Sequence, residues 1–362
     1  MGEPTVSVVV PNYRHERFLA ERLESILNQT FGDYEVVLLD DASPDGSVSV
    51  LERYAGVFAD RLGVDRVQTC FNRENSGNVF RQWARGVSMA RGRYVWIAES
   101  DDSAEPELLE TLVGRLDRGV DEGLVFCDSQ KIDGAGEVLG GCAEVLGGYL
   151  AEDWSEARSW GRGGLSAGPL AALNCVPNAG AVVCRRAVLE AVLAEEDPSV
   201  FRLCGDWLVW WACAERVGVG YEPAALNKFR HHTATVRESV ALDTGFVVEA
   251  LSLVLAFGKR CSVEPRYARQ GGVYWRWRLG VVLKRRGPIR VSSAGRLAGL
   301  MWVLWGWRSV GLLGLVVLAK LGLRRAVLGG LARLGMPVGV KVWAMGGGSE
   351  RWVGEQGLRV DV

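Results

Sequence analysis

The run VSVVVPNYRHERFLAERLESILNQTFGDYEVVLLDD, residues 6–41, decides the fold. Val6 to Val10 is a strongly β-branched stretch ending at Pro11, the pattern of a strand buried in a parallel sheet. From Glu16 to Gln29 the apolar residues Phe18, Leu19, Leu23, Ile26 and Leu27 recur at helical spacing, and Tyr34 to Leu39 is a second apolar strand that stops at Asp40-Asp41. Two parallel strands need such a crossover helix between them. Working outward, Ser43-Pro44-Asp45-Gly46 marks a turn, Ser47 to Phe58 reads as a helix, and Arg66 to Phe71 as a short strand. Gly77 to Ala90 then reads as a helix and Tyr94 to Ala98 as a fourth strand, which ends at Glu99-Ser100-Asp101-Asp102. This alternation predicts an α/β sandwich around a mostly parallel central sheet.

Further on, the pattern predicts a helix from Glu105-Pro106 to Leu116, a strand Leu124 to Cys127, and a Gly-rich irregular region from 134 to 168 of the kind used for binding loops. A strand Ala179 to Cys184 follows; Gly205-Asp206-Trp207 opens an amphipathic helix running to about Val217, and Tyr221 to His232 returns as a strand with a basic end. Parallel sheets take ligands beyond the carboxyl ends of their strands. Polar groups gather there: Asn12-Tyr13, Asp40-Asp41, Asn72 to Asn78, and the carboxylates after the fourth strand.

With 48% hydrophobic and 23% charged residues, the 362-residue chain is globular, and disordered, collagen-like and disulfide-scaffold classes are excluded. Its net charge of -1 conceals a reversal near residue 250: residues 251–362 carry 19 Lys+Arg against 4 Asp+Glu, and the first 250 carry 23 against 39. The expected division is therefore an acidic domain over 1–250, with halves of about 1–103 and 104–250, and a basic, Trp-rich, mainly helical region over 251–362. Eight cysteines without a C-x-x-C pair or zinc-finger spacing read as reduced residues of a cytosolic protein. The start Met1-Gly2-Glu3-Pro4-Thr5 lacks a basic n-region, so no secretory signal is expected, and Val6 stands where myristoylation wants Ser or Thr.

Six pieces taken in order resemble the inverting glycosyltransferase family 2. They are VSVVVPNY (6–13), LNQTF (27–31), DDASPD (40–45), NSGN (75–78), ARGRYV (90–95) and ESDD (99–102), and the likeness extends over about residues 5–232. The resemblance implies a GT-A fold, a nucleotide-diphosphate sugar donor and a divalent cation, Mg2+ or Mn2+, for which oxygen ligands are suited. It places Pro11, Tyr13 and Asp41 at the nucleobase, Asn75 and Gly77 in a loop approaching the nucleotide, Asp102 as first metal ligand, and Asp101 as second ligand or ribose and sugar contact. Glu99 stands where many relatives carry another Asp, and its role stays open. Inversion needs one general base to take the acceptor proton, and Gly205-Asp206-Trp207 matches the family's base, Asp206. Arg230 and His231, followed by His232, match a basic position near the diphosphate. Read locally, Asp41 could equally be a turn or capping acid, Asn75-x-Gly77 a plain turn, and Asp206 a helix cap. His15 is a loop residue without assigned chemistry.

The tail carries no motif of the family. Tyr274 to Arg286 mixes Trp with Arg and Lys, and Leu297 to Ala319 is apolar but holds Arg308 and Ser309. A span, a helical subdomain resting on an anionic membrane face with Trp302, Trp305 and Trp307 at the interface, and a basic subdomain without lipid are the three readings, the second being preferred. The expected function is metal-dependent inverting transfer of a sugar from a nucleotide-diphosphate donor, UDP before dTDP or GDP, to a hydroxyl of a glycan or lipid-linked acceptor in polysaccharide or glycoconjugate assembly. It is placed in the cytoplasm, at the inner face of the membrane, with no nucleic-acid partner. A polyprenyl-phosphate sugar synthase and a catalytically silent sugar-nucleotide-binding scaffold are the alternatives.

Overall fold

The computed structural model describes residues 2–284 apart from 120, 151 and 232–243. His232, the apolar stretch 297–319 and its tryptophans therefore lie outside the described residues. The nucleotide half alternates as read: β1 (Val6–Asn12), α1 (Glu16–Leu27), β2 (Tyr34–Asp40), α2 (Ser47–Leu62), β3 (Val67–Phe71), α3 (Val79–Met89) and β4 (Tyr94–Ile97). Then come β5 (Ser103–Ala104), α4 (Leu108–Arg118) and β6 (Glu122–Ile132). The region 134–168 is less irregular than its glycines imply, with β7 (Val138–Gly141), α5 (Cys142–Gly147), β8 (Arg158–Trp160) and α6 (Gly164–Ala167). There follow α7 (Pro169–Ala172), β9 (Val182–Arg185), α8 (Arg186–Glu195), α9 (Gly205–Arg216), β10 (Gly218–Arg230), α10 (Thr244–Arg260) and α11 (Pro265–Lys284).

The sheet runs β3-β2-β1-β4-β9-β6-β10-β5, with β7 added to β6 and β8 to β10. β3, β2, β1 and β4 are mutually parallel and β9 is antiparallel to both neighbours. The first four strands thus open their carboxyl ends on one edge, where a ligand can meet loops from all of them. Pro11 is tolerated in a central strand because β4 pairs only with Val6 to Val9, so its missing N–H falls beyond that ladder. On one face, Val6, Val8 and Val10 pack with Leu19, Leu23 and Ile26 of α1 and with Leu109 and Leu112 of α4. On the other lies α3, whose Trp83 meets Trp210 of α9 at 5.6 Å between ring centroids.

Two of the recognised pieces prove to be scaffold. Gln29 accepts from the Leu109 N–H at 2.9 Å and donates to the Glu105 carbonyl at 2.8 Å, fixing the start of α4. Buried Glu35 accepts from Ser7 Oγ at 2.6 Å and from the Arg91 backbone N–H at 2.7 Å, tying the entry of β4 to β1 and β2.

The expected amphipathic helix at 205–217 is instead buried on every side, from Gly205 through Ala214. Its outer face is covered by α10 and α11: Phe257 stacks on Trp211 at 4.2 Å, and Trp275 stacks on Trp207 at 6.2 Å. A helix apolar all round belongs in a core. The compact unit accordingly runs from Met1 to Val282, with Leu283–Val362 as a second unit, whereas the charge reversal placed the division at 250, inside α10. Among the described residues no helix is long and apolar enough to cross a membrane.

Candidate active site

At the ends of β1 and β2, Asp40 is buried and accepts from Asn12 Nδ2 at 2.7 Å, Ser43 N at 2.8 Å and Ser43 Oγ at 2.6 Å. Arg14 and Ala42, just past the two strands, take φ of 61° and 58°, a left-handed conformation that non-glycine residues adopt at local cost. Next to this turn, Asp41 gathers the loop after β3. Its carboxylate accepts from Asn72 Nδ2 at 2.7 Å, Ser76 N at 2.9 Å, Ser76 Oγ at 2.7 Å and Gln82 Nε2 at 2.8 Å. Oδ1 takes three of these bonds and Oδ2 one, leaving Oδ2 room for a further donor. Asp41 is therefore neither a helix cap nor a lone acceptor aimed outward; it is the hub on which the 72–82 segment is hung.

Asn75 donates to the Asp41 carbonyl at 3.1 Å and accepts from the Gly77 N–H at 2.6 Å. Gly77 has φ +77°, so the turn needs a residue without a Cβ. The local reading of this pair as a turn is what the structure shows, next to Asp41 at the strand-end edge. Pro11 is buried in β1 opposite Leu39, and Tyr13 beyond it is 40% exposed, leaving an aromatic face at the edge.

Behind β4 the carboxylates divide in two. Asp102 is 1% exposed, and its oxygens accept from Asn178 Nδ2 at 2.5 Å and from the Arg230 backbone N–H at 2.8 Å. The Arg22 guanidinium lies 3.9 Å from Asp102 Oδ2. Burial, and next the charge of Asp101, push the Asp102 carboxyl up to about 7 against the pull of Arg22. Asp101 keeps 16% of its side chain accessible, with His15 Nδ1 at 3.9 Å from Oδ1. Asp102, expected as first metal ligand, is walled in by protein donors, and Asp101 keeps more of its side chain accessible. His15 gains a place at the site, since it also meets Ser100 Oγ at 2.9 Å.

Arg230 departs from expectation as well. Its side chain is 2% exposed and turned inward, donating to the Asp101 carbonyl at 2.8 Å and the Asp133 carbonyl at 3.1 Å and pairing with Glu21. With those partners satisfied, the guanidinium braces the carboxylate loop rather than reaching toward a diphosphate.

Asp206 is the second residue of α9. The cap position belongs to Cys204, whose backbone N–H, with that of Leu203, is taken by Glu249 of α10 at 3.2 and 2.9 Å. Asp206 is therefore not the cap residue itself, although its carboxylate still serves one N–H of the first turn. Its Oδ2 accepts from Asn174 Nδ2 at 3.3 Å and its Oδ1 from the Trp207 N–H at 2.8 Å. Asp206 and His231 line one cavity of about 310 Å³, together with Asn174, Lys131, Tyr274, Trp275 and Arg278.

Three functional groups escaped the sequence reading. Arg22 is fully buried between Phe18, Leu19, Leu23 and Ile26, and Nη1 and Nη2 have no hydrogen-bond partner while facing the Asp102 side. A charged residue inside an apolar helical stripe was the available signal. Asn174 and Asn178 sit in one short loop, 173–178, that hands one amide to Asp206 and the other to Asp102; nothing local marks them. Gly180 makes room behind, since a Cβ there would stand 2.6 Å from Asn227 Oδ1 and 3.3 Å from Arg22 Nη2.

The raised Asp102 pKa has a sign in stability. The folded carboxyl keeps its proton to about pH 7, whereas the unfolded one releases it near 3.8. The folded chain then binds more protons across that interval, so metal-free protein should lose stability as pH rises from about 4 to about 7 and level off above. Asp102→Asn should flatten that slope in denaturant titrations; an unchanged slope assigns it to another group.

Among the described residues no three His, Cys, Asp or Glu side chains form a closed metal cage. Such a cage is not what Mg2+ requires, since it binds through one or two carboxylates and completes its shell with substrate phosphates and water. Asp101 at the open edge, backed by Asp102, fits that donor set.

The family description "Glycosyl transferase family 2" matches residues 7–135. Glycosyltransferase GlyG of Streptococcus pneumoniae is 35% identical over 107 residues, 30% of this chain and 33% of that protein. The chain spans less than half the length of the curated relatives it matches. In structure it is similar to S. aureus TarS 1–349 in complex with UDP-GlcNAc, with TM-score 0.61 at 15% identity over 93% of this chain and 94% of that one. It is also similar to the mannosyltransferase PcManGT of Pyrobaculum calidifontis in complex with GDP-Man and Mn2+, with TM-score 0.53 at 17% identity over 90% and 88%. Both likenesses concern the fold, a GT-A sandwich around a mostly parallel central sheet. Sequence match and sheet order agree from β1 through the carboxylates after β4, and residues 7–135 carry the pattern of glycosyl transferase family 2.

Proposed function

We propose that the chain is a metal-dependent inverting glycosyltransferase that moves a sugar from a UDP-sugar to an acceptor hydroxyl of a glycan or lipid-linked glycan. The observation that carries this reading is the division of labour among carboxylates. Asp41 organises a socket beside Tyr13, Asp101 faces the open edge, and Asp206 stands apart in its own cavity. The UDP-GlcNAc held by TarS and the GDP-Man and Mn2+ held by PcManGT support a nucleotide-sugar and cation at a fold of this kind.

In this reading Tyr13 offers its ring to the base, and the Asn75–Gly77 turn closes on the nucleotide. A divalent cation on Asp101, when bound, offsets charge on the departing diphosphate. Asp102, held by Asn178 and Arg22, fixes the direction in which Asp101 points. The acceptor oxygen attacks the anomeric carbon as the bond to the diphosphate breaks, and Asp206 takes the acceptor proton. A phosphate acceptor is already ionised near neutral pH and needs no base, so the buried, oriented Asp206 favours a hydroxyl over a polyprenyl phosphate.

The test is a thermal-shift series of UDP, dTDP and GDP, each with and without Mn2+. UDP with Mn2+ should raise Tm well beyond either alone, by linkage to tight binding of the folded state. Equal UDP affinity with and without metal, measured by calorimetry, would remove the metal from the proposal.

A further inference from the structure

The cavity at Asp206 carries more chemistry than proton removal requires. Lys131 reaches it from β6, His231 from the end of β10 and Arg278 from α11, three elements far apart in sequence. Among its described lining residues Asp206 is the one carboxylate, so the cations outnumber the acids. Apart from Asn174, the rest of the described wall is largely aromatic or apolar and held in place: Trp275 donates from Nε1 to the Ala172 carbonyl at 2.9 Å, and Tyr274 packs edge-on against it with centroids 4.8 Å apart. Converging cations over a fixed aromatic wall are the composition of a site for an anionic polyol or sugar. Lys supplies a point charge, Arg a planar fork matched to phosphate oxygens, and the rings a face for carbon-bound hydrogens. At about 310 Å³ the cavity has room for one such unit.

We propose that this cavity is an acceptor subsite that recognises a phosphate ester, with Lys131 and Arg278 holding the phosphate while a neighbouring hydroxyl of the same acceptor meets Asp206. The phosphate is a handle and does not react. The step stays balanced as before: the acceptor O–H proton passes to Asp206, the new C–O bond forms, and the diphosphate leaves with the electron pair of the broken bond. The inference rests on Asp206 as base but concerns different residues, of which Arg278 and the rings lie well outside the family match at 7–135.

Binding of sn-glycerol 3-phosphate and of glycerol to the full chain, saturated with UDP and Mn2+, separates the handle from the chemistry. Wild type should bind the phosphate ester and not glycerol, and Lys131→Gln and Arg278→Gln should each weaken it by about 10- to 100-fold, the worth of a charge-assisted hydrogen bond. UDP affinity should be unchanged in both, which also shows that each variant is folded. Sedimentation with phosphatidylcholine vesicles, with and without phosphatidylglycerol, identifies the source. Capture by the anionic vesicles that falls in both variants assigns the handle to a lipid headgroup, and vesicle binding indifferent to them, with the soluble ester still bound, assigns it to a soluble or polymeric phosphate. Equal affinity for glycerol and its phosphate, or variants that bind like wild type, overturns the proposal. Asp206→Asn tells the two readings apart: phosphate binding retained with turnover retained defeats the base and leaves the subsite, and turnover lost with no phosphate binding in any protein defeats the subsite and leaves the base.

Discussion

Asp206→Asn should lower turnover by about 10²- to 10⁴-fold, the usual contribution of a general base, while donor affinity and Tm stay close to wild type. The reason is positional. Cys204 occupies the cap of α9 and Glu249 serves the backbone N–H groups of residues 202–204, so Asp206 holds only the Trp207 N–H of the first turn, a bond that the amide oxygen of Asn can also accept. The Trp207 N–H bond to Oδ1 passes to the amide oxygen of Asn, and the 3.3 Å contact from Asn174 to Oδ2 is the weaker one at risk. What Asn cannot do is take a proton. The measurement is initial rate against acceptor concentration at saturating donor, alongside a donor titration. Activity within a few-fold of wild type sends the search for the base to Glu99 or His231. It also revives the silent scaffold if no variant of the site changes the rate.

How much of this was legible in the sequence depends on range. Strands β1, β2 and β4 and helices α1 to α4 were readable because their apolar periodicity is local and their ends are punctuated by Pro, Gly and Asp. Strand β6 runs to Ile132, five residues past the predicted Cys127, because Asp128 to Gln130 are polar. Pairing on both sides, with Ser129 fully buried, supplied what the residue pattern did not. The all-round burial of α9 was illegible, because its cover arrives from Phe257 and Trp275, in the region 251–362 assigned by charge to another domain. Site residues followed the same rule. Asp41, Asp101 and Asp206 stand at recognisable strand and helix ends. Asn174 and Asn178 acquire meaning only when their loop crosses to both carboxylates, and Arg230 looked like a diphosphate ligand until its inward turn was seen.

Asp101→Ala and Asp102→Ala should fail in different ways, and the contrast is the strongest test of the carboxylate pair. In the sequence the two are neighbours of equal standing; in the fold one side chain is 16% exposed and the other 1%. Removing the Asp102 carboxylate leaves the Arg22 guanidinium fully buried with its nearest counter-charge gone, and leaves the Asn178 amide and the Arg230 N–H without their acceptor. Above about pH 7, where the Asp102 carboxyl is ionised, breaking a buried pair from one side costs about 3 to 5 kcal/mol, so Asp102→Ala should lower Tm markedly there and disturb nucleotide binding only through the loosened loop. Restoring neutrality with Arg22→Met in the same chain should recover part of the stability, since an apolar pair of similar bulk is often tolerated. Asp101→Ala abandons no buried cation and should leave stability within about 1 kcal/mol of wild type, the range of partly exposed substitutions. It should nevertheless abolish the Mn2+-dependent part of UDP affinity. Denaturant titration and calorimetry on the same preparations read both axes. If Asp102→Ala were as stable as wild type and alone lost the metal effect, the buried residue would be the ligand, and Arg22 and Asn178 would have to move aside when the cation binds.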